Sequence, residues 1–373
     1  MISQAIYDST IREFLSPIAA FLADESVTEV MINGPTEIFV ERKGQLSRTD
    51  ARFGSGDKLV SALRVIAQYV GRPFDEAHPI LEARLPDGSR VEALLPPVAP
   101  DGPSVAIRRF SKDRLTLEKL LRFGALTEDA AQTLRVLVEC KRNIVVAGGT
   151  GSGKTSLLNA LSAFIPAEER VVVIEDAREL QLQREHVVQF EARPPDARGK
   201  GAISIRDLFK ATLRMRPDRI VLGEIRGGEA LDLIQAMTSG HGGCLTTVHA
   251  SYPIDTLNRL ETLALMSGVE LPLFALRAQL ASAVDLVVQT ARLRDGCRMV
   301  THITEVCGPD PQHGYRLKDI FASVPGQLAA DSKVAFQLEP TGVLPECLPL
   351  IRSQGCELPE GVYETARRAR TVA

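Results

Sequence analysis

Residues 143–155 read NIVVAGGTGSGKT, an apolar run followed by a glycine-rich loop. The apolar residues 144–147 are typical of a buried strand, and residues 157–164 place leucine and phenylalanine side chains on one face of a helix. The GxxxxGK(S/T) spacing lets backbone N–H groups curve around a phosphate, because glycine has no Cβ to obstruct them. A glycine-rich surface turn would not require this strand and helix. We therefore predict a strand, a phosphate-binding loop (P-loop) and a helix whose positive end favours an anion.

The P-loop residue types suit a nucleoside triphosphate with its metal ion. Lys154 can carry positive charge to the β- and γ-phosphate oxygens, and the Thr155 hydroxyl is a ligand type for Mg²⁺. We expect Lys154 to act in catalysis as well as in binding. The residues expected to bind ATP and Mg²⁺ are Gly148, Gly149, Thr150, Gly151, Ser152, Gly153, Lys154, Thr155 and Ser156.

Two further apolar runs end in carboxylates. Residues 171–174 are followed by Glu175 and Asp176, and residues 220–222 lead to Glu224. Because parallel strands deliver their carboxyl ends to one ligand crevice, these acids should lie near Mg²⁺ and the γ-phosphate. We predict Glu224 and Glu175 as catalytic residues, and all three acids as metal ligands, with Asp176 acting through water. The alternative is that they begin helices and interact with the helix dipole.

A histidine stands at each end of another predicted strand, at His241 and His249. A neutral imidazole can contact a phosphate through its N–H group and can change partner when the nucleotide leaves. We therefore expect His241 to contribute to nucleotide binding and His249 to catalysis. The alternative is that both histidines are structural.

Three arginines are candidates for stabilising the charge of a transferred phosphoryl group, a task that a neighbouring subunit can perform. Arg108 and Arg109 close the first predicted domain, and Arg214 precedes the second acidic strand. For each of them the alternative is a solvated surface charge.

The length of 373 residues predicts two domains. The N-terminal part carries a hairpin pattern, whereas helices and strands alternate after about residue 117, as in an α/β domain with a mainly parallel sheet. Ser204 and Asp207 have the spacing of a capping box at a helix start. The predicted divisions are an α+β domain at 1–110, a linker at 111–116, the α/β domain at 117–325 and a weakly patterned tail at 326–373.

Composition narrows the function classes. A net charge of −3, five tyrosines and no tryptophan argue against a dedicated nucleic-acid binder, which needs focused positive charge or stacking aromatics. No run approaches the roughly 20 apolar residues that span a bilayer, and the N-terminus lacks a signal-peptide pattern, so we expect a cytoplasmic protein. The six cysteines form no CxxC pair, which predicts reduced thiols and no zinc.

Four motifs together resemble the type II/type IV secretion ATPase superfamily. They occur in its order, as Walker A at 148–155, the acidic box at 175–180, an atypical Walker B at 222–228 and the histidine box at 240–250. Several strings, among them SVAIRRF at 104–110 and GEIRGGEALDLIQAM at 223–237, resemble its CpaF/TadA branch, which drives assembly of tight-adherence (Flp) pili. The resemblance runs from about residue 26 to residue 321.

This resemblance implies a RecA-like P-loop ATPase domain preceded by a smaller, PAS-like α+β domain. It further implies a Mg²⁺-dependent ATP-hydrolysing homo-hexamer that works on platform proteins at the inner membrane, to which it would be peripheral. The implied work is pilus assembly, with retraction also open. Three alternatives stand beside it: a type IV secretion or conjugation ATPase that drives DNA or protein transfer, an ATP-gated interaction module, and a nucleic-acid translocase, against which the charge and scarce aromatics count.

Overall fold

The computed structural model describes residues 4–42, 44–110, 115–182, 184–196, 199–293, 295–328 and 334–372. The chain divides into two compact units. The first unit comprises Met1–Asp113 with Pro194–Ala202, and the second comprises Arg114–Arg193 with Ile203–Ala373. Most of the predicted linker at 111–116 lies outside the described residues, and the predicted domain limits stay a prediction.

The first unit is an antiparallel sheet covered by helices. Its helices are α1 (Gln4–Phe14), α2 (Ala19–Ala23) and α3 (Gly56–Tyr69), and its strands are β1 (Val27–Asn33), β2 (Glu37–Arg42), β3 (Gln45–Arg48), β4 (Ile80–Arg84), β5 (Arg90–Leu94) and β6 (Ser104–Arg108). The strand order is β3-β2-β1-β6-β5-β4. Leu59, Leu63 and Ile66 recur at helical spacing along α3, so one face of this helix is buried in the unit's core.

The second unit carries the predicted P-loop region. Its helices are α4 (Leu117–Arg122), α5 (Glu128–Glu139), α6 (Lys154–Ser162), α7 (Ile205–Thr212), α8 (Glu229–Thr238), α9 (Pro253–Leu265), α10 (Leu273–Ala283), α11 (Leu348–Ser353) and α12 (Glu360–Val372). Its strands are β7 (Ile144–Gly148), β8 (Val171–Glu175), β9 (Val187–Glu191), β10 (Arg219–Leu222), β11 (Leu245–Val248), β12 (Leu286–Arg292), β13 (Arg298–Asp310), β14 (Gly314–Leu328) and β15 (Val334–Pro340). The capping box at Ser204 and Asp207 is confirmed at the start of α7.

The sheet of the second unit is mixed, so the fold is α/β. The strand order is β15-β14-β13-β12-β7-β11-β10-β8-β9. The strands from β12 to β9 in this order pair parallel, and β13, β14 and β15 extend the sheet antiparallel from β12. This arrangement brings the carboxyl ends of β7, β8, β10 and β11 to one edge.

Both faces of the parallel part are covered, which explains why its strands read as continuous apolar runs. Ile144 and Val146 of β7 pack in a cluster with α5 and α6, whereas Val145 and Ala147 pack on the other face with α8, α9 and α10. Successive residues of a strand point to opposite faces, so an uninterrupted apolar strand needs a layer on each side.

The sequence pattern weakens beyond about residue 323, yet regular structure continues there as β15, α11 and α12. Leu338, Ile351 and Val362 from these elements are buried in the same cluster as Ile144. The expectation of a weakly patterned tail therefore understated this region. The six-residue α11 is too short to repeat an apolar helical period, so its burial depends on the rest of the unit.

A buried arginine fixes the opposite edge, where the parallel strands begin. Arg219 opens β10, and its Nε lies 2.5 Å from Oε2 of Glu169. Its Nη2 donates to the carbonyl of Val138 at 2.7 Å and its Nη1 to that of Gly243 at 3.4 Å. Gly243 has φ +80°, and a Cβ there would lie 2.2 Å from Nη1 of Arg219. One side chain therefore ties together three segments that enter the sheet.

We predict that Arg219→Met lowers the free energy of unfolding by about 3 kcal/mol, because two buried carbonyls and a partly buried carboxylate lose their donor. Denaturant titration measures the change. Arg135→Met is the matched control, since Arg135 pairs with Glu139 on the exposed face of α5 and such pairs contribute less than about 1 kcal/mol. Equal losses in the two variants would contradict the role of Arg219.

Candidate functional site

The predicted strand, glycine-rich loop and helix are confirmed as β7, residues 149–153 and α6. Gly151 and Gly153 have φ values of +69° and +95°, which glycine adopts without strain. A Cβ on Gly148 would lie 2.2 Å from Oγ1 of Thr290 in the neighbouring β12, so only glycine fits there. Thr290 also lies 2.8 Å from Oγ of Ser152 and donates to the carbonyl of Ala147 at 2.9 Å. Contacts from Thr290 of β12 therefore hold the loop in this conformation.

Lys154 points back over its own loop and is only 7% exposed. Its Nζ donates to the carbonyls of Gly148 at 3.1 Å and Gly149 at 2.9 Å, and lies 3.3 Å from Nδ1 of His249. The ammonium group of Lys154 therefore lies against the carbonyl oxygens of its own loop and beside the imidazole of His249.

Glu224 and Asp176 are joined by an arginine that the sequence analysis did not single out. Arg226 donates to Oε2 of Glu224 through Nε at 2.9 Å and Nη2 at 2.7 Å, and its Nη1 lies 3.0 Å from Oδ2 of Asp176. Oε1 of Glu224 lies 2.7 Å from Nε2 of His249, within ion-pair distance but not aligned as a hydrogen bond. Polar groups therefore follow one another without a break from Lys154 to Asp176.

His249 follows β11 directly and connects the P-loop with Glu224. Burial lowers its pKa, and the positive charge of Lys154 lowers it further. The imidazole is therefore neutral at neutral pH. Because the Lys154 ammonium can only donate, Nδ1 is the acceptor and the proton is on Nε2, facing Glu224.

Glu175 lies at the end of β8, but one of its oxygens already holds the backbone. Oε1 accepts the N–H groups of Glu179 and Leu180, both at 2.9 Å. The side chain is 3% exposed, and a Cβ on Gly223 would lie 2.9 Å from its Cγ. Glu175 therefore shapes the turn after β8, a role that the sequence analysis did not predict.

Two predicted residues lie away from the P-loop of their own chain. His241 precedes β11 and Arg214 precedes β10, so both lie at the edge where the parallel strands begin. A four-residue strand spans about 13 Å, which places the two histidines of the pattern at opposite edges of the sheet. The structure brings His249, and not His241, to the P-loop.

Arg108 and Arg109 belong to the first unit and differ in their surroundings. Arg108 is exposed on β6. Nη1 of Arg109 donates to the backbone carbonyls of Asp24 and Val27, the latter at 2.8 Å. Nη1 of Arg109 is thus engaged by main chain of its own unit, and the predicted role of the two arginines toward a neighbouring subunit stays a prediction.

The sequence analysis also missed a side chain that shapes the turn after Glu224. Oε1 of Glu229 accepts the N–H groups of Arg226 at 2.7 Å and Gly227 at 2.8 Å. Glu229 is the first residue of α8, so its carboxylate bonds the chain that leads into this helix. In the same turn, a Cβ on Gly228 would lie 2.6 Å from Cα of Ser267, so the two backbones touch directly.

In the described part of the chain, no helix is both long and apolar enough to cross a bilayer.

Comparison with known proteins agrees with this geometry. The family model for "Type II/IV secretion system protein" matches residues 12–354. The chain is 35% identical over 288 residues to a putative conjugal transfer protein of Mycobacterium tuberculosis, covering 76% of this chain and 81% of that protein. It is 34% identical over 325 residues to the type IV secretion system protein VirB11 of Bartonella quintana, covering 78% and 91% of the two chains.

A solved structure shares the fold. The Legionella pneumophila ATPase DotB matches with a TM-score of 0.55 and 18% sequence identity, covering 82% of each chain. The family match spans most of the sequence, and the relatives at 34–35% identity are covered over most of their length. The chain therefore belongs to the type II/IV secretion system protein family.

Proposed function

We propose that the chain is the subunit of an ATP-hydrolysing motor, with a RecA-like P-loop domain that follows a smaller PAS-like domain. The observation that carries the proposal is the unbroken series of polar groups from Lys154 through His249, Glu224 and Arg226 to Asp176. It joins the phosphate-binding loop to the carboxylates that hydrolysis requires. Membership of a family of secretion ATPases supports the same activity.

The P-loop suits the triphosphate of ATP. Gly151 and Gly153 keep the loop open to a phosphate, while Lys154 rests on two carbonyl oxygens. Phosphate oxygens are stronger partners for an ammonium group than carbonyls. ATP binding would therefore replace the carbonyl contacts of Lys154 by contacts with phosphate oxygens.

The oxygen atoms around the loop suit Mg²⁺. The Thr155 hydroxyl and, through water, Asp176 would hold the ion, with Glu224 and Glu175 completing the candidate set. Oε1 of Glu224 is buried and has no aligned hydrogen-bond donor among the described residues, so this oxygen suits contact with the ion or a water bound to it. When bound, Mg²⁺ neutralises charge on the β- and γ-phosphate oxygens and orients them.

Hydrolysis requires a water molecule to attack the γ-phosphorus while the bond to the β–γ bridging oxygen breaks. Glu224 would orient that water and accept its proton, because Arg226 fixes Oε2 and leaves Oε1 facing His249 and the P-loop. Nδ1 of His249 would lose the hydrogen bond that Lys154 donates when Lys154 turns to the phosphates. The surroundings of the imidazole would therefore depend on whether nucleotide is bound.

The motor would work as a homo-hexamer peripheral to the inner membrane, acting on platform proteins of a secretion or pilus machine. The family resemblance supports this assembly, in which Arg108 and Arg214 would reach a nucleotide held by a neighbouring subunit. His241 has no support as a contact of its own chain's nucleotide, since it lies at the far edge of the sheet.

The motor would drive one of two processes: assembly of a pilus, or transfer of DNA or protein. The strings at 104–110 and 223–237 favour assembly of a tight-adherence pilus. The relatives favour the second, transfer of DNA or protein, since one is named a putative conjugal transfer protein and the other a type IV secretion system protein. Deleting the gene and measuring surface pilin and DNA transfer separately distinguishes the two. Sustained turnover of ATP excludes an ATP-gated module that binds without cycling.

Lys154→Ala should lower ATP affinity at least about tenfold, because a charge-assisted contact to phosphate is lost. Turnover should fall with it. Fluorescent-nucleotide titration and phosphate release measure the two effects. Lys318→Ala is the matched control, since Lys318 lies on β14 and pairs there with the side chain of Glu346. Unchanged affinity in the Lys154 variant would exclude the P-loop as the nucleotide site.

Glu224→Gln should retain ATP binding and reduce hydrolysis about 100-fold or more, because the amide keeps the side-chain shape but cannot accept a proton. Single-turnover and steady-state assays separate the two steps. Glu191→Gln is a control at the same edge of the sheet, one strand beyond Glu175, and should keep parental turnover. Parallel loss of binding and hydrolysis in Glu224→Gln would indicate a structural role.

Arg108→Ala subunits mixed with Lys154→Ala subunits should regain part of the activity that each lacks alone, because some interfaces then join an intact arginine to an intact P-loop. Phosphate release at fixed total protein measures this recovery, with light scattering to verify assembly. Arg109→Ala should instead lower stability, since Arg109 holds two carbonyls of its own unit. Assembled mixtures that stay inactive would remove Arg108 from a trans role.

A further inference from the structure

We propose that Arg298 is a positioning residue for the P-loop, which holds the carbonyl of Gly151 from outside and so keeps the N–H group of Ser152 turned toward the phosphates. The inference rests on the proposed binding of nucleotide at this loop. It assigns a role to a side chain that lies 147 positions from its partner in the sequence.

The contact is direct. Arg298 opens β13, and its Nε donates to the carbonyl oxygen of Gly151 at 2.8 Å. Its Cδ lies 3.6 Å from the position that a Cβ on Gly153 would take. Arg292, at the end of β12, places Nη1 3.5 Å from the corresponding position on Gly151. The pair of β12 and β13 thus places the guanidinium groups of Arg292 and Arg298 beside the loop.

The peptide between Gly151 and Ser152 has two sides that face different groups. Because a trans peptide is planar, its carbonyl and its N–H group point in opposite directions. The Ser152 N–H group is directed to the carbonyl of Gly149 at 3.4 Å, and the same oxygen accepts from Nζ of Lys154 at 2.9 Å. Ser152 N–H and Lys154 Nζ are therefore directed to the same carbonyl oxygen, and Arg298 bonds the opposite side of the peptide between Gly151 and Ser152.

The loop needs such a contact because its glycines leave the peptide free to rotate. Gly151 and Gly153 adopt positive φ values, and glycine exchanges between backbone regions at little energetic cost. Without a partner for its carbonyl, the peptide can turn its N–H group away from the phosphates. Arg298 removes this freedom before nucleotide arrives, which is the preorganisation that tight binding requires.

Two substitutions separate the hydrogen bond from the charge. In Arg298→Gln, Nε2 lies the same number of bonds from Cα as Nε of arginine, so the donor to Gly151 is kept while the charge is lost. Arg298→Met has similar length and no donor. We expect Arg298→Met to weaken binding of MgATP and MgADP about tenfold, and Arg298→Gln to stay within about threefold of the parent.

The readout is nucleotide affinity together with the rise in Tm that saturating MgADP produces. A merely structural role would lower the Tm of the nucleotide-free protein and leave that rise unchanged, whereas loss of positioning reduces the rise. Arg316→Met is the matched control, because Nη2 of Arg316 donates to the carbonyl of Cys307 at 2.6 Å on the same sheet away from the P-loop. Its nucleotide affinity should equal that of the parent.

Parental affinity in Arg298→Met, or equal weakening in the Met and Gln variants, would overturn the inference. Arg298 is exposed, so Arg298→Ala serves in place of Arg298→Met if that variant does not fold. If Lys154→Ala also binds nucleotide like the parent, the failure belongs to the proposed function. If Lys154→Ala loses binding and the Arg298 variants do not, the proposed function stands and the positioning role falls.

Discussion

The pairing of β7 between β11 and β12 is the constraint on which the site depends. Every backbone polar group of this buried strand must be bonded, and two parallel ladders satisfy them. Their register sets Gly148 beside Thr290 and places His249 just beyond the partner of Ala147. The P-loop cannot shift along the strand without breaking both ladders, so the groups around it keep fixed positions.

The charges at this edge form an ordered series. Lys154, Glu224, Arg226 and Asp176 alternate in sign, with the neutral His249 between the first two. A charge taken from water requires a partner, and each of these has one in the nucleotide-free chain. In the proposed function, nucleotide binding would therefore exchange the partners of Lys154 and His249, and its effect would pass along these contacts to Asp176.

Local pattern was enough to predict the P-loop and the acids that end β8 and β10, because the motif is contiguous and parallel strands share a carboxyl edge. It failed where the deciding contact is remote in sequence. Thr290 and Arg298 meet the loop from about 140 positions away, and only the sheet order brings them there. A histidine at each end of a strand does not indicate which one faces the P-loop, and the structure brings His249 there and not His241. The sequence does not distinguish Arg109 from its neighbour Arg108, because the carbonyl partners of Arg109 are remote in sequence.

The contact between Gly228 and Ser267 has a mechanical meaning. Most neighbouring segments in a protein are separated by side chains, whose rotamers can absorb a small displacement. Here main chain rests on main chain, and packed backbone is stiff. A movement of the turn that holds Arg226 would therefore displace the segment between α9 and α10 directly. A methyl group at residue 228 would separate the two surfaces and loosen that transmission.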